Sequence, residues 1–281
     1  MTAAQDPRRN APSVRREIEV EQIRWSFWDG GRGFPLVFLH GAGSLGQNWT
    51  GPFPFLAQSH RVLVPDLPGH GESGRIPPGF DWPALVRSTQ EFLRRTTSPP
   101  VDLVGHSLGG TLALSLSSRY PSLVRRLVVL APAIRSSAKG MESEIFPARP
   151  ATWTGRLFRR RDVALSTLPR LPATEALRRW NQARQIARQW LASGALLVEV
   201  EKIRAPCLVL WGEEDAIAPV SEAPALASRL RNGRYRNLPG EGHMLHLERP
   251  ALFTSLVEDF LDTARPVPRG PPSPPEDGSE G

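Results

Sequence analysis

The feature that most constrains the fold of this chain is a series of five short runs of almost continuously apolar residues. Strands with one face in water alternate apolar and polar residues, whereas continuous runs are typical of strands buried on both faces of a parallel sheet. Patterns of helical period fill the intervals, notably over residues 82–96 and 108–120. This alternation predicts the α/β class, with right-handed helical crossovers between strands. The runs cover residues 35–40, 61–66, 101–106, 126–131 and 206–212.

The chain divides into segments of different character. Its 281 residues, 40% of them hydrophobic, suffice for one large domain with a sizeable core. We expect this core to comprise residues 17–132 and 203–264, interrupted by a helical cap over residues 133–202, where the regular alternation lapses. The outer segments are polar or rich in proline and cannot form a packed core. Residues 1–16 and 265–281 are therefore predicted to be a disordered arm and a disordered tail.

Two local patterns refine this organisation. Residues 17–28 alternate apolar and polar side chains, which predicts a pair of antiparallel edge strands before the parallel ones. Within the cap, Thr174 is suited to cap a helix that runs to about Ser193. Its predicted apolar face carries Leu177, Trp180, Ala183, Ala187, Trp190 and Leu191. Its predicted solvated face carries Arg178, Arg179, Gln182, Gln185, Arg188 and Gln189.

The net charge of +7 comes almost entirely from arginine and is concentrated in the predicted cap, which holds thirteen basic and six acidic residues. A basic patch attracts anions in general. Arginines that face inward would favour a small-molecule substrate with a carboxylate or phosphate, and arginines that face outward would dock an acidic partner or a membrane surface. The candidates are Arg156, Arg159, Arg160, Arg161, Arg178, Arg179, Arg184 and Arg188. Nucleic-acid binding is not expected, because no recognised nucleic-acid-binding pattern accompanies these charges.

Cysteine usage and hydropathy predict a cytoplasmic protein. Cys207 is the only cysteine, so it cannot form an internal disulfide or build a metal site alone, and we expect a buried thiol. The segment from Met1 to Arg16 lacks the apolar stretch of an export signal, and no run approaches the roughly 18 apolar residues of a transmembrane span. The sequence does not indicate an oligomeric state.

A serine between glycines follows the third apolar run. Gly105, Ser107 and Gly109 fit the pattern G-x-S-x-G at a predicted strand-to-helix junction. A sharp turn there would expose the serine hydroxyl above the sheet, and glycine two residues to either side would avoid a clash. The turn would also leave the backbone N–H of Leu108 free to bind a developing negative charge. We predict Ser107 as a nucleophile, with His106 in a structural or pocket role.

A serine nucleophile needs a base, and that base needs an acid to orient it. Asp215 lies just beyond the run that ends at residue 212, and His243 lies on a glycine-flanked loop before the last predicted helix. Carboxyl ends of parallel strands meet at one edge of the sheet, so these groups are expected to converge with Ser107. The neighbouring Glu213 and Glu214 are predicted to face away from the site.

The loop after the first parallel run supplies the remaining requirement. His40, Gly41, Ala42 and Gly43 form a stretch of small residues that lets the backbone approach a substrate. We predict that the N–H of Ala42 pairs with that of Leu108 in an oxyanion hole, with Gly43 as the alternative donor.

These motifs together resemble the α/β-hydrolase superfamily, in its cap-bearing branch that acts on small molecules. The resemblance covers residues 17–264 and rests on HGAG with Trp49 downstream, DLPGHGES, GHSLGG, WGEED with Pro219, and GEGHMLHLERP. It implies an eight-stranded sheet with the second strand antiparallel, a helical cap between strands six and seven, and no cofactor or metal. It implies catalytic Ser107, Asp215 and His243, oxyanion donors Ala42 and Leu108, and substrate contacts from Gly41, Gly43, Trp49 and His106. The cap of this chain is short and unusually rich in arginine for such a protein.

The predicted reaction is hydrolysis of a carboxylic ester, lactone or thioester through an acyl-enzyme on Ser107. A serine argues against the haloalkane dehalogenase and epoxide hydrolase branches, whose nucleophile is aspartate. Two alternatives stay open. The same three residues would serve a hydrolase of a carbon–carbon bond in a vinylogous diketone acid, and the same fold would serve a ligand receptor with slow turnover.

Overall fold

The computed structural model describes residues 13–134, 185–186, 188–190 and 198–263, and an eight-stranded sheet forms its centre. The order across the sheet is β1-β2-β4-β3-β5-β6-β7-β8. Strand β2 is antiparallel to both of its neighbours, and the other neighbouring strands pair in parallel. This confirms the predicted mostly parallel sheet with its second strand antiparallel. The strands are β1 (Ser13–Val20), β2 (Ile23–Gly31), β3 (Phe34–Leu39), β4 (His60–Pro65), β5 (Val101–His106), β6 (Val124–Leu130), β7 (Cys207–Gly212) and β8 (Gly233–Leu238).

Helices cover both faces of the sheet. They are α1 (Phe53–Leu56), α2 (Trp82–Thr96), α3 (Leu108–Arg119), α4 (Glu222–Arg229), α5 (Leu245–Glu248) and α6 (Pro250–Thr263). Successive residues of the central strands point to opposite faces, so Leu103 lies in one apolar cluster and Val104 in the other. The first cluster packs against α2, α3 and α4, and the second packs against α1 and α6.

The sheet begins earlier than the sequence predicts. Strand β1 starts at Ser13, so residues 13–16 are paired strand rather than part of a disordered arm. Pairing with β2 supplies the physical reason, since Ser13 lies opposite Gly30 in an antiparallel ladder. Arg15 strengthens this end of the strand, because its guanidinium donates to the Ser26 hydroxyl at 2.9 Å and forms an ion pair with Asp66. The rest of the predicted arm and the predicted tail lie outside the described residues.

The described residues of the predicted cap include 185–186 and 188–190, which are helical. Trp190 is buried there, as predicted, and its indole N–H donates to the carbonyl oxygen of Phe80 at 3.4 Å. Ile186 is also buried, whereas Gln185, Arg188 and Gln189 are exposed, as expected for the polar face. Arg188 therefore faces outward. The other cap arginines named above lie outside the described residues.

Among the described residues, no helix combines the length and the apolar character that crossing a membrane requires.

Candidate active site

Ser107 occupies a strained turn between β5 and α3. Its backbone has φ of 51° and ψ of −119°, a conformation that is costly for a residue with a side chain. A Cβ atom added at Gly105 would lie 2.3 Å from the carbonyl oxygen of Gly109, and one added at Gly109 would lie 2.2 Å from that of Leu39. The Ser107 N–H donates to the carbonyl oxygen of Leu130 at 2.9 Å, which fixes the turn against β6. The two glycines are needed because backbone passes where their side chains would be.

Asp215 and His243 form a buried pair. The Nδ1–H of His243 donates to Oδ2 of Asp215 at 2.7 Å, and the two side chains are 3% and 0% exposed, respectively. Oδ1 of Asp215 accepts the backbone N–H groups of Ile217 and Ala218 at 2.8 and 2.9 Å. The Trp211 indole N–H donates to the Ala218 carbonyl oxygen at 2.9 Å and braces this loop against β7. With Nδ1 as the donor, Nε2 of His243 carries the lone pair that a general base needs.

The loop that carries His243 touches the turn that carries Ser107. The rings of His106 and His243 lie 4.7 Å apart, and Nε2 of His106 donates to the carbonyl oxygen of His243 at 3.0 Å. Within the residues that the structure describes, no hydrogen bond joins the Ser107 hydroxyl to the His243 imidazole. Such bonds often tighten only when substrate is bound. The catalytic pairing of these two side chains stays a prediction.

Residues 40–43, called the oxyanion loop below, offer two candidate backbone donors, Ala42 and Gly43. The N–H of Gly43 is already engaged, since it donates to Nε2 of His70 at 3.3 Å. In contrast, neither the N–H of Ala42 nor that of Leu108 has an acceptor among the described residues. Gly41 lies against the nucleophile, because a Cβ atom there would be 3.2 Å from that of Ser107. This geometry favours Ala42 over Gly43 as the partner of Leu108.

Two buried polar side chains hold the oxyanion loop, and motif-based reasoning did not assign them this role. His40 donates from Nδ1 to the carbonyl oxygen of Gly41 at 2.8 Å and accepts the Leu67 N–H on Nε2 at 2.9 Å. Asp66 accepts the N–H of Gly46 at 2.7 Å. The signal for both was present in the sequence, since each follows the end of a buried strand at the edge where the site forms.

Two predicted substrate contacts lie in the interior instead. Trp49 is 1% exposed and packs against the rings of Phe38, His246 and Phe253, with centroids 4.3 to 5.6 Å apart. His106 is 2% exposed and contacts the loop of the base. Trp49 is directed inward by its packing against these three rings. His106 is directed inward because the turn that presents the serine hydroxyl points the preceding side chain the other way, which fits the structural rather than the pocket alternative.

Neutral imidazoles surround the site. Burial lowers the pKa of His40, lowers that of His70 to about 3 and lowers that of His246 to about 3. The pKa of His106 also lies well below its usual value, chiefly because of burial and then because of the proximity of His246 and His243. Cys207 is a free, buried cysteine, as predicted, and burial raises the pKa of its thiol.

We expect these histidines to make the fold sensitive to acid. The folded-state pKa values of His70 and His246 lie below the unfolded value of 6.5, so the unfolded chain takes up protons first as the pH falls. The contribution of these two neutral histidines to the free energy of unfolding is complete above about pH 6.5. It is lost toward pH 3, at roughly 1 kcal/mol per pH unit for each histidine. Urea denaturation at pH 7, 6 and 5 measures this slope.

The variant His246→Phe removes one titrating group and keeps a ring against Trp49 and Phe253. Its free energy of unfolding should fall less steeply with acid than that of the unmodified protein, by roughly 1 kcal/mol per pH unit. Identical slopes for the two proteins would show that His246 is not held neutral by burial.

Comparison with known proteins gives a consistent picture. The family model described as "Alpha/beta hydrolase family" matches residues 36–256. The 2-hydroxymuconate semialdehyde hydrolase of Pseudomonas sp. (strain CF600) is 31% identical over 278 residues, which cover 91% of this chain and 96% of that protein. A meta-cleavage product hydrolase from Pseudomonas fluorescens IP01 has a similar structure, with a TM-score of 0.75, 20% identity, and coverage of 89% of this chain and 98% of that one. The crystal structure of a membrane phospholipase A is also similar, with a TM-score of 0.74, 23% identity, and coverage of 90% of this chain and 87% of that one.

Proposed function

Because the chain belongs to the α/β-hydrolase family and is a hydrolase, we propose that it cleaves a carbon–carbon bond in a vinylogous diketone acid, with Ser107, His243 and Asp215 as its catalytic residues. The observation that carries this proposal is the 31% identity to a 2-hydroxymuconate semialdehyde hydrolase along nearly the full length of both chains. The buried Asp215–His243 pair supports it, since that pair prepares a base at the edge of the sheet where Ser107 lies.

The proposed reaction starts from the dicarbonyl tautomer of the substrate, at the carbonyl group next to the carbon–carbon bond that breaks. Nε2 of His243 takes the proton of the Ser107 hydroxyl while the serine oxygen bonds to the carbonyl carbon. The carbonyl oxygen becomes an oxyanion, which the N–H groups of Ala42 and Leu108 bind. Each donor of this kind typically contributes about 3 kcal/mol to stabilising the transition state.

Collapse of this intermediate breaks the carbon–carbon bond. The electron pair of that bond is delocalised over the conjugated acid as a dienolate, and the proton on His243 passes to its carbon. Water, activated by the same imidazole, then releases the acyl group from Ser107 as a carboxylic acid. Asp215 stabilises the imidazolium in both halves of the reaction. Two backbone N–H groups bind its Oδ1, which keeps Oδ2 facing Nδ1 of His243.

Hydrolysis of an ester, a lactone or a thioester would use the same groups, and only the leaving group would differ. A substrate panel separates the two reactions. We expect kcat/KM for a 2-hydroxy-6-oxohexa-2,4-dienoate, followed by loss of its dienol absorbance, to exceed that for p-nitrophenyl butyrate, a γ-lactone and an acyl thioester by at least about 100-fold.

The variant Ser107→Ala should abolish turnover of every active substrate and keep the far-ultraviolet circular dichroism of the unmodified protein. A higher kcat/KM for any of the three acyl compounds would overturn the carbon–carbon assignment in favour of ester-type hydrolysis. Binding of the dienoate without turnover of any substrate would favour the ligand receptor.

A further inference from the structure

The residue before the nucleophile makes a long-range contact with the residue that carries the base. Nε2 of His106 lies 3.0 Å from the carbonyl oxygen of His243, although 137 positions separate the two residues along the chain. A carbonyl oxygen can only accept, so the imidazole must donate from Nε2. The proton of His106 therefore lies on Nε2, and its Nδ1 carries a lone pair.

The surroundings of the ring keep it in that state. His106 is 2% exposed, and its ring lies between those of His243 and His246, with centroids 4.7 and 4.5 Å away. Its Nδ1 has no hydrogen-bond partner among the described residues and lies 3.1 Å from the position that a Cβ atom of Gly41 would take. A second proton would be buried there without an acceptor, beside the imidazole that becomes charged during catalysis. The ring is thus suited to serve as a fixed, neutral donor.

The other anchors of the loop around His243 among the described residues lie at Glu241, whose carbonyl oxygen accepts the Glu214 N–H at 2.9 Å and whose carboxylate pairs with Arg249, and at the His243 side chain. This loop follows β8, and Gly240 and Gly242 flank its approach to His243, with Gly240 at φ of 74°. Glycine gives a backbone more conformational freedom than any other residue. Misplacement of a catalytic group by about 1 Å can cost on the order of 100-fold in rate, so a brace at His243 itself has a kinetic consequence.

We propose that His106 is a positioning residue that ties the backbone of the general base to the nucleophile turn. The proposal rests on the proposed function, and it adds a residue that sets the distance between the Ser107 hydroxyl and the His243 imidazole. His106 and Ser107 are covalent neighbours, so a bond from His106 to the carbonyl of His243 links the two loops directly beneath the reacting atoms. Burial removes His106 from contact with substrate, and its Nε2–H cannot act as a base.

Two substitutions separate positioning from packing. In His106→Phe the ring and its burial are kept and the donor is lost, whereas in His106→Gln the side-chain amide can again donate to the carbonyl oxygen of His243. We expect His106→Phe to lower kcat and the rate of modification by a fluorophosphonate about 10- to 100-fold, with KM within about 3-fold of its original value. In His106→Gln, kcat and the rate of fluorophosphonate modification should both lie within about 5-fold of those of the unmodified protein.

Equal loss in the two variants, no loss in either, or a loss confined to KM would overturn the positioning role. If His106→Phe does not fold, nitrogen-15 NMR of the histidines in the unmodified protein still tests the geometry, because the proposal requires a protonated Nε2 and a bare Nδ1 at His106. The opposite tautomer would refute it. The fluorophosphonate reacts with any activated serine and needs no knowledge of the substrate. If it modifies Ser107 equally fast in the His106 variants and in the unmodified protein, only the positioning role is refuted. If it does not modify Ser107 in the unmodified protein, the proposed function is refuted.

Discussion

Replacement of His243 by glutamine should reduce kcat by roughly 10⁴- to 10⁶-fold, the range typical of a lost catalytic base in a serine hydrolase. The physical reason is that a hydroxyl is a poor nucleophile at neutral pH until a base takes its proton. Glutamine can still accept a hydrogen bond, but it cannot carry the proton through the reaction. Steady-state kinetics on the best substrate of the panel measures the effect.

A matched control is His60→Gln. His60 is also buried, but it begins β4 at the opposite edge of the sheet, and its Nδ1 lies 2.9 Å from the hydroxyl of Ser59. We expect its kcat to stay within about 3-fold of the original value. A loss of less than 100-fold in His243→Gln, or losses of similar size in the two variants, would show that His243 is not the base.

Replacement of Asp215 by asparagine should lower kcat about 10⁴-fold without changing the shape of the site. The backbone N–H groups of Ile217 and Ala218 both point at Oδ1, so the amide oxygen of an asparagine must face them. Its NH₂ group then faces Nδ1 of His243, where the carboxylate accepted a hydrogen bond. Nδ1 would become the acceptor and Nε2 would carry the proton, which is the wrong tautomer for a base.

The test compares kcat for Asp215→Asn and Glu213→Gln, because Glu213 is an exposed carboxylate two residues away in the same loop. Only the first change should reduce turnover, and nitrogen-15 NMR should show the proton of His243 moving from Nδ1 to Nε2. Retention of more than a tenth of the activity by Asp215→Asn would contradict the assigned role of the carboxylate.

Much of the fold could be predicted from the sequence because the strong signals are local. The continuous apolar runs identified five of the parallel strands to within about two residues, and helix α2 matched its predicted bounds. Asp81 shows why the start of that helix was readable, since its side chain accepts the N–H of Ala84 at 2.8 Å as an ordinary helix cap. The order of serine, aspartate and histidine predicted that these residues lie at one edge of the sheet, because parallel strands end there.

The features that the sequence did not predict depend on contacts between distant segments. Strand β1 starts at Ser13 because β2 pairs with it, and nothing in the local pattern marks that point. The N–H of Gly43 is engaged because His70 arrives from another loop. The hydrogen bond from His106 to the carbonyl oxygen of His243 joins residues 137 positions apart along the chain. Such contacts are set by tertiary packing, which a motif does not record.

The central claim is that Ser107 is a nucleophile activated by His243. Reaction of the full-length protein with a fluorophosphonate, followed by mass spectrometry of its peptides, tests it most directly. We predict a single phosphonyl adduct on Ser107, formed at least about 100-fold more slowly in His243→Gln. An adduct on another residue, or an equal rate of modification in the two proteins, would contradict the account.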